Sequence, residues 1–241
     1  MGWLKKEIKR YGNDGIKTEK SPILRDRKKY SGGIPMLVDF KSSETKDNLM
    51  RAFAGESQAR NRYTFAAAQA KQQKLPLLEQ IFTYTANQEK EHAEIFYNFL
   101  KELSGETIHV DGGYPVDIDP SIQKILRMAE HNELEEHDVV YKAFAQKAKE
   151  EGFPQIASAF ELIAKIEKTH ADRFGRYAQW MEQELLFGVN DPLNAGAAKQ
   201  TAWLCLNCGY IHEGPVAPKT CPVCHHEQGY FVREAEGPWT K

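Results

Sequence analysis

The chain has 241 residues, 41% of them hydrophobic and 27% charged, with 32 basic against 34 acidic side chains and a formal net charge of −2. That length allows one sizeable core plus a small appended module, and the near balance of charge gives no global electrostatic argument for a nucleic-acid or membrane partner. No apolar run approaches the roughly 18 residues of a membrane span, and the N-terminus lacks the apolar core of about 7–15 residues that marks a secretory signal, so the sequence reads as that of a soluble, cytoplasmic protein.

Residues 1–43 form a basic N-terminal extension. Positions 1–40 hold ten Lys or Arg against five acids, and Gly12, Gly15, Pro22, Gly32, Gly33 and Pro35 interrupt any long element. The extension reads either as a solvated arm or as one that contacts a partner subunit. From Ser43 the pattern turns helical. Ser43 or Thr45 caps a first helix to about Gln73, with Ala52, Phe53, Ala59, Tyr63, Ala66, Ala67 and Ala70 spaced three or four apart. Lys74-Leu75-Pro76 breaks it, and Pro76 suits the first turn of a second helix to about Leu103. Gly105, Gly112, Gly113 and Pro115 mark a long crossover. Asp119-Pro120 opens a third helix to about Glu151, and Gly152-Phe153-Pro154 separates it from a fourth that runs to about Leu186. The expected architecture is an all-α four-helix bundle over 44–186, two αα-hairpins joined by the crossover.

Within the bundle, Glu89-Lys90-Glu91-His92 and Glu167-Lys168-Thr169-His170 repeat Glu-x-x-His 78 residues apart. A helix carries positions i and i+3 on one face, so each copy presents a carboxylate and an imidazole to the same point. With 24 Glu and eight His in the chain, about one such motif arises by chance, and Glu106-Thr107-Ile108-His109 in the crossover reads as that accident. The other two have a repeat context: at the same offset Tyr63 matches Tyr141, Lys71 matches Lys149, Phe82 matches Phe160 and Phe96 matches Phe174. An αα-hairpin has been duplicated. Glu56 is the further inward carboxylate of the first hairpin. Its partner by strict offset falls on Leu134, one residue after Glu133 and two before Glu136, so the register slips there. One Glu from each of two helices plus Glu-x-x-His from each of the other two is the ligand set of a ferritin-like dinuclear iron or manganese bundle.

Buried carboxylates need cations. Glu56, Glu89, Glu133 or Glu136, and Glu167 would compensate two divalent metals, and His92 and His170 add imidazoles that suit iron. If Glu133 and Glu136 both point inward, the site holds one carboxylate more than two ferrous ions need, and it could change ligands as the iron changes charge. Glu130, on the same stripe, is the main rival to these two, followed by His137. Tyr63 and Tyr141 flank the cluster, either as core aromatics or as hydrogen-bond donors to a ligand carboxylate or a peroxide.

Residues 187–202, with Gly188, Pro192 and Gly196, read as a linker. Beyond it, Cys205, Cys208, Cys221 and Cys224 give Cys-x2-Cys-x12-Cys-x2-Cys within a terminal segment, 203–241, too small to hold together by its own core. A four-thiolate metal can hold it. Zinc ribbons share this spacing, but the neighbouring redox site favours iron, which can pass single electrons.

Taken in order, these elements resemble the rubrerythrin family over about residues 44–241: a ferritin-like di-iron bundle, a linker and a rubredoxin-like four-cysteine tail. The resemblance implies di-iron ligands at Glu56, Glu89, His92, Glu133, Glu136, Glu167 and His170, and a mononuclear iron on the four cysteines. It also implies a non-haem peroxidase of oxidative-stress defence that reduces hydrogen peroxide to water, with Glu136 and His92 exchanging at one iron. Electrons would enter through the thiolate-bound iron from a rubredoxin or an NADH-dependent reductase, in a homodimer or larger head-to-tail assembly. The same bundle chemistry leaves a di-iron oxidase, a ferroxidase or an iron-storage protein as alternatives, and a zinc-ribbon adaptor as a further one. Residues 1–43 exceed the family's short lead-in.

Overall fold

The computed structural model describes residues 38–188 and 201–236. Residues 1–37 of the basic N-terminal extension and 189–200 of the linker lie outside the described residues.

The first hairpin is α1 (Glu44–Gln72) and α2 (Pro76–Phe99). Ser43 starts α1, its hydroxyl oxygen accepting from the Lys46 amide at 3.0 Å. The Glu151 carboxylate, from the far end of the other hairpin, accepts from the amides of Glu44 and Thr45. A negative group is thereby set on the positive end of the helix dipole. The second hairpin is α3 (Ile122–Glu135), a π-helical segment (Glu136–Val140), α4 (Tyr141–Glu150) and α5 (Pro154–Glu182). The duplication extends to the turns. Lys74 (φ 59°) and Gly152 (φ 89°) both take the left-handed conformation, and the following amides of Leu75 and Phe153 bond the carbonyls of Ala70 and Ala148. Each pair is 78 residues apart, and Pro76 and Pro154 then open α2 and α5 at their first turns.

Three boundaries differ from those expected. The second helix stops at Phe99, and Lys101–Leu103 continue as a 3-10 turn. The fourth stops at Glu182, shortly before Glu184 turns left-handed (φ 56°). The third is not continuous: five residues of π-helix interrupt it. Such a segment accommodates one extra residue in a helix, which accounts for the register slip. Glu56 and Tyr63 are seven apart, whereas Glu133 and Tyr141 are eight apart.

The crossover lies along α1 and α3, pinned by Arg51 to Asp111 at 2.9 Å and by Arg62 and Asn132 to Asp117. Two aromatic trios fill the bundle. Tyr63, Phe82 and Phe174 form one, with ring centroids 5.0–6.2 Å apart; Phe96, Tyr141 and Phe160 form the other, at 4.9–5.8 Å. The members correspond one for one at the 78-residue offset. They belong to separate apolar clusters. No helix among the described residues is long and apolar enough to cross a membrane.

After residue 200, three short antiparallel strands, β1 (Ala202–Cys205), β2 (Ile211–Glu213) and β3 (Phe231–Arg233), form a sheet in the order β2-β1-β3. Trp203, Cys205, Ala217, Cys221 and Phe231 make its small core. This module packs on its own bundle. Val232 is buried in the bundle's Tyr63-containing cluster, and Leu204 and Leu206 pack against it. The Arg233 guanidinium lies over both Trp180 and Trp203 and donates to the Leu185 carbonyl at 3.0 Å. Gly229 sits so close to the Lys74 carbonyl that a Cβ there would lie 1.9 Å from the oxygen.

Candidate metal centre

Four long helices place their polar positions at one level, and two groups of donors converge there. Glu56, Glu89, His92 and Glu167 form the first; Glu89, Glu133, Glu167 and His170 form the second. All six residues are buried, none more than 4% exposed. Glu89 and Glu167 belong to both groups, and each divides its oxygens between the imidazoles. His92 Nδ1 is 3.0 Å from Glu89 Oε2 and 3.0 Å from Glu167 Oε1. His170 Nδ1 is 3.0 Å from Glu89 Oε1 and 2.8 Å from Glu167 Oε2. Glu56 and Glu133 each face one side only, 3.7 Å from His92 and 3.5 Å from His170. The imidazole planes lie 18° apart with centroids separated by 5.7 Å.

Oxygens Glu56 Oε2, Glu89 Oε1, Glu133 Oε2 and both of Glu167, with His170 Nδ1, are buried without an acceptable hydrogen-bond partner. Leaving so many buried acceptors unmatched costs about 1–3 kcal/mol each, a cost that cations between them would offset. The donor set of four carboxylates and two imidazoles fits a pair of iron ions.

The charge imbalance also shows in the protonation equilibria. Burial, then the Glu167 charge, pushes the Glu56 carboxyl well above the ordinary carboxylate range. Burial, then Glu89, pushes Glu133 up to about 8. For Glu89 burial acts upward too, but the facing imidazoles of His170 and His92 outweigh it and bring its carboxyl down to about 2. Burial opposes the charged form of both imidazoles, yet the surrounding carboxylates raise them, His170 to about 12.

The two tyrosines take both roles considered for them. Their rings sit in the aromatic trios, and their hydroxyls cross over: Tyr63 donates to Glu133, and Tyr141 donates to Glu56. Glu136, on the π-helical segment, stands outside both donor groups. It is half-buried and lines a cavity of about 210 Å³ together with Tyr141. Burial, followed by the charges of Glu56, Glu133, Glu167 and Glu89, holds its carboxyl well above the usual range. The rival Glu130 is committed elsewhere, paired with Arg127 at 2.6 Å and packed against Gly175. His137 turns away, its Nδ1 2.6 Å from the Ala164 carbonyl. The third motif lies on the surface, with Glu106 paired to Lys41 and His109 exposed.

Gln88 is the residue that sequence reasoning missed. Its Oε1 lies 3.0 Å from His170 Nε2 and accepts a hydrogen bond from the Nε2–H, the tautomer that leaves Nδ1 free for a metal. Its counterpart at the 78-residue offset is Ile166, so the repeat carries no signal for it.

In the module, all four cysteines are unpaired thiols that come together. Cys205 Sγ is 3.7 Å from Cys224 Sγ, and Cys208 Sγ is 3.7 Å from Cys221 Sγ. Those are edges of a thiolate tetrahedron, since metal–sulfur bonds near 2.3 Å imply S···S of about 3.8 Å. Each Cys-x2-Cys turn is followed by a left-handed residue, Gly209 (φ 79°) and His225 (φ 61°), whose amide bonds the carbonyl of the first cysteine. The backbone amide of His226 holds the Cys224 thiol down at about 5, which favours a thiolate ligand.

The comparisons with known proteins agree with this geometry. The rubrerythrin family model matches residues 47–120 and 124–204, and the model for the rubrerythrin rubredoxin-like domain matches 203–232. The chain is 41% identical to a rubrerythrin of Clostridium perfringens over 81% of its own length and 96% of that protein. It is 42% identical to a rubrerythrin of Porphyromonas gingivalis, over 81% and 92%. Among solved structures, partially reduced nigerythrin superposes with a TM-score of 0.51 at 26% identity, covering 80% of this chain and 90% of that one. With its duplicated carboxylate–imidazole half-sites and its four-thiolate tail, the chain belongs to the rubrerythrin family.

Proposed function

We propose that the protein is a non-haem di-iron peroxidase that reduces hydrogen peroxide to water. The observation that carries this reading is the set of buried, unmatched carboxylate oxygens and imidazole nitrogen, arranged as two donor groups that share Glu89 and Glu167. Glu56, Glu89, His92, Glu133, Glu167 and His170 would hold the two irons, with Glu136 as the reserve ligand. Cys205, Cys208, Cys221 and Cys224 would hold the mononuclear iron. When bound in the ferrous state, the pair supplies two electrons, one from each ion, so that H2O2 with two protons becomes two waters without release of a radical.

The protein's own groups have separable tasks in this reading. Glu89 and Glu167 hold the two positions at one spacing, and the hydroxyls of Tyr63 and Tyr141 fix the outer carboxylates of Glu133 and Glu56. The aromatic trios keep bulk water out of the layer between them. Glu136 borders the cavity, from which its carboxyl can move toward the position of His92 as the local charge rises, and the π-helical backbone beneath it is a segment suited to such a shift.

Electron entry through the four-thiolate site, from a rubredoxin or an NADH-dependent reductase, follows from the same reading. Within one chain the module docks at the α1–α2 turn. From Lys74 at that turn to Glu89 is 15 residues, about 22 Å along the helix. That separation favours delivery from the module of another copy in a homodimer or larger assembly.

The test is turnover by the iron-loaded protein with a reductase and NADH, comparing peroxide with dioxygen. Peroxide-dependent NADH oxidation well above the dioxygen rate is expected. Faster turnover of dioxygen, or a bundle that purifies without iron, would overturn the reading in favour of an oxidase or a non-redox scaffold.

A further inference from the structure

The cavity that reaches Glu136 is roofed by the crossover. It is lined by Glu136 and Tyr141 of the second hairpin, by Gly55 on α1, and by Gly112, Gly113 and Tyr114 of the crossover. Tyr114 is 41% exposed and also lines the cavity, so it meets both solvent and the cavity. Its hydroxyl donates to the Arg51 carbonyl at 3.1 Å, and the Arg51 side chain binds Asp111, so this stretch of the crossover is tied to α1 at two points. Two glycines make room for it. A Cβ on Gly112 would stand 2.8–3.0 Å from the ring and hydroxyl atoms, and one on Gly55 would stand 3.8 Å from Cε1. Gly55 precedes Glu56 in the middle of a long helix, where glycine costs about 1 kcal/mol relative to alanine. The absence of a side chain there lets the Tyr114 ring lie close against α1 at the edge of the cavity.

We propose that Tyr114, over Gly55, sets the aperture through which oxidants reach the di-iron centre, and that it restricts the substrate class to small hydroperoxides at the expense of branched alkyl ones. The proposal rests on the peroxidase reading above. Tyr114 lines the crossover side of the cavity that Glu136 also lines, so a solute entering from that side meets its ring. Tyr114 is thus a specificity-determining residue that touches none of the metal donors.

Iron-loaded, full-length protein with Tyr114→Ala or Gly55→Ala tests it in two ways. The first compares turnover of tert-butyl hydroperoxide and hydrogen peroxide. Tyr114→Ala should raise the ratio of the two specificity constants by about tenfold or more, the scale on which a pocket discriminates by added methyl groups. Gly55→Ala should lower it. The second follows azide binding to the oxidised centre by its optical change. Azide should associate faster in Tyr114→Ala and more slowly in Gly55→Ala. The added methyl of Gly55→Ala makes only ordinary contact with the ring, so that variant folds even if the other does not. Unchanged azide association in the folded variants, with an unchanged hydroperoxide ratio, would overturn the proposal. If the wild type reduces neither hydroperoxide, the peroxidase reading falls, and the azide rates still decide whether Tyr114 guards the entrance.

Discussion

Tyr141 of the second hairpin donates its hydroxyl hydrogen to Glu56 of the first, and Tyr63 of the first donates to Glu133 of the second. The duplicated hairpins are therefore interlocked through the outer carboxylates. Glu133, not Leu134 or Glu136, is the counterpart of Glu56. The two phenols differ in one respect: Tyr141 borders the cavity that contains Glu136, whereas Tyr63 does not.

From that difference, Tyr63→Phe and Tyr141→Phe should be alike in stability and unlike in activity. Each keeps its ring in the aromatic trio and loses one hydrogen bond to a carboxylate, at a cost of about 1–3 kcal/mol. Peroxide turnover should fall more in Tyr141→Phe, by about a hundredfold if the phenol moves a proton to the substrate. Equal kinetic losses in the two variants would remove that role.

Glu89→Ala or Glu167→Ala should abolish binding of both irons, because each carboxylate serves both donor groups. Glu133→Ala should leave one half-site largely intact. Glu106→Ala, at the exposed third motif, should change neither iron content nor turnover. Iron analysis of the purified variants separates these cases, and a loss in Glu106→Ala matching that in Glu89→Ala would show that the repeat had been misread.

Cys205→Ser or Cys221→Ser should remove the red thiolate-to-iron colour and block turnover with the reductase, while the helical signal and the two bundle irons persist. Undiminished turnover with the same electron donor would exclude the module as the point of electron entry.

Mixing Cys205→Ser chains with Glu89→Ala chains should restore part of the activity, because an intact module then faces an intact di-iron centre on the other chain. Verified hybrids, fully loaded with metal and still inactive, would instead place transfer within a single chain.

The two hairpin turns predict opposite responses to substitution. Gly152→Ala forces a side chain into the left-handed region and should destabilise the fold by about 1 kcal/mol or more. Lys74→Gly relieves the same strain, about 1–2 kcal/mol, and loses the exposed ion pair with Glu227, whose contribution is about 0–1 kcal/mol. Thermal unfolding should show a lower midpoint for Gly152→Ala and none for Lys74→Gly; equal decreases would mean the turns are not equivalent.

Much of this molecule was determined by its sequence alone. Helical periodicity decides which face a residue occupies, so the spacing of Glu89 to His92 and of Glu167 to His170 was enough to align the half-sites. The 78-residue offset then separated them from the chance motif at Glu106. The cysteine spacing settled the tail for a similar reason, since a Cys-x2-Cys turn brings two sulfurs to one side by local geometry. The tertiary structure alone decided what crosses between elements. Which carboxylates are shared, which tyrosine reaches which glutamate, and the hydrogen bond from His170 to Gln88 all depend on how four helices rotate about their axes, and side-chain periodicity does not specify that to within a hydrogen-bond length. The π-helical segment belongs with these: its extra residue appeared in the sequence only as a slip of one position between Glu133 and Leu134. The placement of Glu136 at the cavity, outside the donor groups, follows from backbone geometry that no local propensity encodes.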